Sequence, residues 1–173
     1  MEIRLAKPVY ADAIAATYDE LFAFEAEHGS ISNWQEGAYP TRATVDEAIG
    51  RGWMWVGVEG GTVLASMVLN SRQPPEYESV RWSWKAVPAK VLVVHALVVP
   101  PSAAGHGYGQ AMLDFALAWG HSHGRLVCRL DTWVGNKPAQ ALCQRANFRM
   151  AGRAPMRRAG LADADHVFLE RQL

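Results

Sequence analysis

The chain has 173 residues, of which 50% are hydrophobic and 20% charged, the balance of a folded domain rather than a disordered tail or a fibre. Lys and Arg number 17, as do Asp and Glu, so the formal net charge is zero and neither nucleic acid nor an anionic membrane is an expected partner. The longest apolar run, Val91 to Val99, is broken by His95 and falls well short of the roughly 20 residues of a membrane helix.

The opening Met1-Glu2-Ile3-Arg4-Leu5 puts charge where a signal peptide would carry its apolar core, which predicts a cytoplasmic protein. Cys128 and Cys143 are the only cysteines and form no CxxC pair; both read as reduced thiols. With no repeats and no linker-like tract, residues 1–173 read as a single domain.

Ile3 to Leu5 reads as a short strand, and Pro8 then suits the first turn of a helix over Val9 to Glu27, where Ile14, Tyr18, Leu21 and Phe22 recur at helical spacing. His28 to Pro40 has no period and reads as a loop of a length that is usually functional. A second helix follows, capped by Thr41 or Thr44, with Glu47 three residues beyond Thr44 and with Gly50 and Gly52 at its end. Trp53 to Glu59 and Thr62 to Leu69 flank Gly60-Gly61, a strong hairpin signal. Asn70 to Pro88 carries three prolines and reads as an irregular excursion. Val91 to Val99 has the pattern of a strand buried on both faces. Helices over Gly107 to His123 and Asn136 to Ala146 alternate with a strand over Leu126 to Thr132. Phe148 to Gly152 and His166 to Arg171 are closing strands.

The chemistry concentrates where the central strand meets a nearly all-apolar helix through Pro100-Pro101-Ser102-Ala103-Ala104-Gly105-His106-Gly107-Tyr108-Gly109-Gln110. Helix N-termini leave N–H groups without intrahelical partners and carry partial positive charge, so such a turn can hold a phosphate without a basic side chain. A P-loop would need Lys and Ser or Thr after its last glycine, where Gln110-Ala111 stand. A dinucleotide GxGxxG fails by one residue, because its third glycine would fall at Gln110 or Met112; Asp131 does end the next strand, so a nicotinamide-cofactor reading stays as a minor alternative.

The loop, following a strand that ends Val98-Val99-Pro100, resembles the coenzyme A signature of the GNAT superfamily of N-acetyltransferases, Arg/Gln-x-x-Gly-x-Gly/Ala, with Ala104-Gly105-His106-Gly107-Tyr108-Gly109 in its place. Asn136-Lys137-Pro138-Ala139-Gln140-Ala141-Leu142-Cys143-Gln144-Arg145-Ala146-Asn147-Phe148 resembles that family's second signature, Asn-x-x-Ala-x-x-Leu-Tyr-x-x-x-Gly-Phe. The resemblance implies an α/β (α+β) fold: a mixed, mostly antiparallel sheet of six to seven strands, helices on both faces, and a fourth and fifth strand that splay apart. It implies acetyl-CoA as cosubstrate and no metal. Leu97, Val98 and Val99 would lie along the pantetheine arm, Ala104, Gly105, His106, Gly107, Tyr108, Gly109 and Gln110 would form the pyrophosphate cradle, and Asn136 would join them. The Val99 N–H would be the oxyanion donor. Relatives are often homodimers.

Three positions depart from the pattern. Ala104 stands where the family has Arg or Gln, and a lost charge-assisted contact is worth roughly 1.5–3 kcal/mol; His106 or a nearby lysine could substitute. Asn147 replaces a glycine, and Asn tolerates the left-handed conformation of a helix exit. Cys143 stands where many relatives carry the tyrosine that protonates the departing thiolate; it is either that acid or a buried core residue.

For the base, His95 alternates with Val93, Leu97 and Val99 and is expected on their side of the strand, facing the gap; a hydrogen-bonded core histidine is the other reading. Asp131 is second, sharing a strand face with Arg129, with which it could simply pair. Among the seven Trp, five Tyr and five Phe, Trp34, Tyr39, Trp55, Tyr77 and Trp84 are expected to line the acceptor pocket, and aromatic faces favour a small amine with an apolar portion. The reading is an acetyl-CoA-dependent N-acetyltransferase that moves the acetyl group to a primary amine of a small molecule in a ternary complex. The alternative is an acyl-CoA binding or sensing domain with little catalysis.

Overall fold

The computed structural model describes residues 1–157 and 163–173. The elements run β1 (Glu2–Leu5), α1 (Ala11–His28), α2 (Arg42–Gly50), β2 (Met54–Glu59), β3 (Thr62–Asn70), β4 (Val91–Val98), α3 (Tyr108–Ser122), β5 (Val127–Trp133), α4 (Lys137–Arg145), β6 (Arg149–Met156) and β7 (Ala164–Gln172). The seven strands form one sheet in the order β1-β2-β3-β4-β5-β7-β6. Every neighbouring pair is antiparallel except β4 with β5.

Local chemistry explains these boundaries. Gly60 and Gly61 take φ of 56° and 84°, the two positive values that a two-residue hairpin between Glu59 and Thr62 needs. The capping box of α2 is formed by Thr41 and Thr44, each hydroxyl accepting from the other's backbone N–H, so the expected partnership of Thr44 with Glu47 is replaced; Glu47 instead accepts from Arg51 at 2.9 Å. Asn147 takes φ 57° at the exit of α4, the conformation its side chain was expected to tolerate.

Two apolar layers sandwich the sheet. On one face α3 and α4 bury Met112, Leu113, Ala116, Leu117 and Cys143 against Met67, Leu92, Val94, Cys128 and Leu169. On the other, α1 and α2 bury Ile14, Tyr18, Phe22 and Val45 against Val56, Val68 and Val98. The proline-rich excursion between β3 and β4 continues that second layer. Its turn over Pro75–Ser79 plants Tyr77 against Val91, Val93, Val127 and Phe168, with Val80, Trp82, Trp84 and Ala86 packed around them.

Two irregularities of β4 set up the site. Ser66 pairs with Val98 but Val68 with His95, so two steps on β3 face three on β4, and the extra residue is taken up at Ala96, whose φ is 46°. The bulge reverses the side-chain alternation. Val93 and His95's partner Val68 face the α1 side, whereas Leu97 and Val99 pack on the α3 side. The expectation that His95 shares a side with Leu97 and Val99 is therefore corrected. Secondly, β4 and β5 pair only at Val91–Val127, Leu92–Cys128 and Val93–Arg129, although β4 continues to Val98 and β5 to Trp133. Beyond Val93 the two strands part.

Helix α3 lies close against this junction at Gly120, where an added Cβ would come within 2.9 Å of a Leu92 methyl and 2.7 Å of a Leu173 methyl. Leu92 is fully buried and has little room to yield. Gly120→Val should cost about 1–3 kcal/mol by overpacking, read as a lower urea midpoint with an unchanged slope.

Candidate active site

The loop from β4 to α3 presents a row of backbone donors. After the turn Pro101–Ala103, Gly105 and Gly107 take φ of 80° and 79°, and no atom lies within 4 Å of where their Cβ atoms would be. Gly107 caps α3 with no side-chain hydrogen bond. The first backbone bond into the helix is Ala111 N–H to Gly107 O, 3.0 Å; among the described residues the N–H groups from Gly105 to Gln110 have no acceptor. Gly109 serves a different end: a Cβ there would meet Leu142 at 3.4 Å and Val99 at 3.6 Å, so its lack of a side chain lets the helix start press against the strand end and α4.

Side chains hold the loop without covering it. The His106 Nδ1–H donates to the Ala104 carbonyl at 2.9 Å, which leaves Nε2 as the outward nitrogen, and the ring stacks on Tyr108 at 5.8 Å. The Tyr108 hydroxyl donates to Glu59 at 3.2 Å. The Gln110 amide donates to Asp114 at 2.9 Å. Asn136 spends its side-chain oxygen on the N–H of Ala139, 3.0 Å away, and so caps α4. Ala104 offers no cation.

At the parting of the strands, His95 and Asp131 each stand two residues beyond the last paired couple, Val93 and Arg129, and so on one face, opposite α3. Asn70 Oδ1 accepts from the Arg72 N–H at 2.8 Å and lies 3.1 Å from His95 Nε2. An oxygen that accepts from a backbone amide can only accept from the ring as well, so Nε2 carries the hydrogen in this contact.

Asp131 is held by two groups from other elements. Its Oδ1 accepts from the Tyr77 hydroxyl at 3.0 Å and its Oδ2 from His166 Nδ1–H at 2.8 Å, with both side chains of that His–Asp pair about nine-tenths buried. Arg129 donates to Gln73 and to the Trp84 carbonyl, at 2.6 and 2.8 Å. Sequence reasoning missed His166 and Asn70. His166 reaches Asp131 only through the β5–β7 register, which pairs Trp133 with His166 and Asp131 with Phe168, and nothing local announces that.

The aromatic residues expected to line one pocket are divided. Trp34 and Tyr39 meet edge to face at 5.8 Å in the loop between α1 and α2. That loop is gathered by Glu25, whose carboxylate accepts from the N–H groups of Ile31 and Ser32 and from the hydroxyls of Ser30 and Ser32. Tyr77 and Trp84 belong to the excursion on the same sheet face, with the Tyr77 ring buried and its hydroxyl donating to Asp131. Trp55 is separated from all four: it meets Phe115 at a tilt, 4.8 Å away, and Trp119 edge to face at 6.0 Å, on the α3 side.

Cys143 is buried in the layer under α4, and burial pushes its thiol up to about 12. A thiol so placed is a poor proton donor.

The chain matches the model of the acetyltransferase (GNAT) family over residues 15–148, and it belongs to that family. Solved structures share the fold. A GNAT-family acetyltransferase from Streptococcus agalactiae superposes with a TM-score of 0.82 at 24% identity, covering 99% of this chain and 95% of that one. The ribosomal-protein-alanine N-acetyltransferase of Brucella melitensis gives 0.74 at 18%, with full coverage of both chains. YncA from Salmonella typhimurium, solved with its cofactor acetyl-CoA, gives 0.70 at 18%, covering 100% of this chain and 94% of that one. No curated protein matches the sequence significantly. Among the described residues no helix is long and apolar enough to cross a membrane.

The raised thiol of Cys143 has a sign. The folded state keeps a proton that the unfolded chain releases from about pH 8.5 upward, so this contribution to stability is complete below that pH and falls as pH rises towards 12. In urea unfolding, wild-type stability should fall above pH 9 with a steeper slope than that of Cys143→Ala. At pH 8 the native thiol should resist an aromatic disulfide reagent and react once the chain is unfolded.

Proposed function

We propose that the protein transfers the acetyl group of acetyl-CoA to the primary amine of a small molecule, with both substrates bound together. The observation that carries this reading is the parting of β4 from β5 beyond Val93, set beside a run of open N–H groups from Gly105 to Gln110. The first gives an extended thiol arm a slot inside the sheet. The second gives a pyrophosphate its donors, in the field of the α3 N-terminus. The open space over Gly105 and Gly107 fits a ligand that approaches the backbone closely.

Acetyl-CoA supplies the activated acyl thioester. The chain's task is to aim it and to manage protons. Gly105 to Gln110 hold the phosphates by backbone donors, and Ala104 adds no charge to them. Leu97, Val98 and Val99 line the arm, and the Val99 N–H stabilises the carbonyl oxygen as it gains charge. The amine nitrogen attacks the carbonyl carbon, the carbon–sulfur bond breaks, and the sulfur leaves with the electron pair. His95 accepts the amine proton, its ring oriented by Asn70. The leaving sulfur takes its proton from water, since Cys143 is too firmly protonated and too buried to be a good donor. Asp131, with both oxygens engaged by Tyr77 and His166, fixes the far wall and supplies negative charge that favours an ammonium ion's approach. Trp34, Tyr39 and Trp84 contribute aromatic surface to the acceptor pocket, Tyr77 contributes its hydroxyl through Asp131 while its ring stays buried, and Trp55 is left in the core.

Calorimetry should detect acetyl-CoA binding to the wild type. In Gly107→Val, where a side chain meets a positive φ and intrudes on the cradle, affinity should fall at least tenfold. Thiol release across a panel of amines should identify an acceptor, and His95→Ala should lower kcat by about 10²–10⁴ while acetyl-CoA affinity is kept. Binding without turnover of any amine would instead favour the sensing domain. No binding at all would overturn the assignment.

A further inference from the structure

On the sheet face that carries His95 and Asp131, the excursion between β3 and β4 forms an open hollow of about 400 Å³ lined by Val80, Arg81, Trp82, Lys85, Ala86 and Arg129. Half of its lining residues are cations, in a chain whose net charge is zero. Arg81 and Lys85 are exposed, and neither makes an ion pair among the described residues.

Arg129 is different in kind. It is 5% exposed, its two terminal nitrogens are held by Gln73 and the Trp84 carbonyl, and Trp82 covers its guanidinium at 4.2 Å. Its Nε has no hydrogen-bond partner among the described residues. The neighbouring carboxylate, Glu170, is fully buried and accepts from the N–H groups of Ser83 and Trp84. It balances one of the three cations and leaves two.

Like charges gathered around one hollow repel one another, and burying an arginine with an idle N–H is unfavourable unless something answers it. A planar or tetrahedral oxyanion answers both. We propose that this cavity is a receptor for the carboxylate or phosphate group of a small molecule, with Arg81 and Lys85 closing over the anion, Trp82 as one wall and Arg129 as the fixed cation.

Two molecules could bring that group: the acceptor amine itself, or a separate anionic effector. Arg129 and Asp131 are two residues apart on one strand face, about 6.6 Å along the strand, so one acid-bearing amine could span the cavity and the reacting centre. The effector case does not rest on the acetyl-transfer reading; the acceptor case does.

The test is a nuclear magnetic resonance titration of the ¹⁵N-labelled protein with inorganic phosphate and with succinate, followed at the Trp82 indole and the Arg129 Nε–H. Both signals should shift saturably, and the affinity should drop at least tenfold in the Arg81→Ser/Lys85→Ser double variant, whose changes are at exposed positions. The Gly105–Gln110 amides report coenzyme A separately, so failure here and failure of the acetyl-CoA assignment are distinct. Kinetics then separate the sources. If the acceptor carries the acid, the double variant should raise KM at least tenfold for an acid-bearing amine and leave its uncharged amide counterpart unchanged. If an effector carries it, added anion should alter turnover of the uncharged amine in the wild type and not in the variant. Absence of saturable shifts at Trp82 and Arg129, or equal affinity in the variant, overturns the proposal.

Discussion

The site depends on where one parallel ladder stops. β4 is committed to β3, and β5 is committed to β7 along its whole length, from Val127 opposite Gln172 to Trp133 opposite His166. The two halves of the sheet meet through only Val91 to Val93. Parallel pairing between strands that each have a stronger antiparallel partner is the easiest connection to end, and the twist of each half carries the strands apart once it has ended. What keeps the junction from opening further is the layer beneath it, where Leu113, Ala116 and Leu117 of α3 pack against residues of both halves, including Leu92, Val94, Cys128 and Leu130. The slot is a consequence of this division of loyalties, with apolar packing holding it at a fixed width.

The bulge at Ala96 adds a second consequence. It sits between His95 and Leu97, so the strand presents its titratable side chain to one face and its last apolar side chains, Leu97 and Val99, to the other. A regular strand would have put all three together. The irregularity divides labour instead: the α3 side packs, and the opposite side, where His95, Asp131, His166 and Tyr77 gather, carries polar chemistry. A non-glycine residue at φ 46° is uncommon, and here the conformation re-aims the backbone at the place where a thioester carbonyl would need a donor.

Much of the fold was legible because local signals agreed with it. Gly60-Gly61 gave the hairpin, the continuous apolar run gave a strand buried on both faces, and the glycine loop ahead of an apolar helix gave the donor cradle. The excursion from Asn70 to Pro88 was read only as irregular, since its order comes from contacts with distant partners: Tyr77 with Asp131, Ser83 and Trp84 with Glu170, and the Trp84 carbonyl with Arg129. The facing of His95 was misread because a bulge depends on the register with β3, which periodicity within one strand does not contain. His166 was invisible for the same reason. Trp55 was grouped with the other rings by composition alone; its neighbours Met54 and Val56 belong to the α1 side, which by alternation sends Trp55 to α3.

The aromatic surplus and the buried charges turn out to have one physical explanation. Arg129 and Glu170 stand opposite each other across β5 and β7, in an interior where an isolated charge would be prohibitive. Each is answered mainly by the excursion: Glu170 by two backbone N–H groups, Arg129 by a backbone carbonyl and the face of Trp82. The same segment presents the Tyr77 hydroxyl to Asp131, so the backbone that solvates the buried charges also fixes a wall of the candidate site. Trp82 and Trp84 supply rigid area at low entropic cost, with Trp82 held by its indole N–H to the Tyr77 carbonyl at 2.8 Å and Trp84 covered by Arg149 at 5.1 Å. A segment without regular secondary structure is thereby ordered by charge and aromatic surface together. The excursion, which has no ladder of its own, depends on bonding these two charges more than the sheet does.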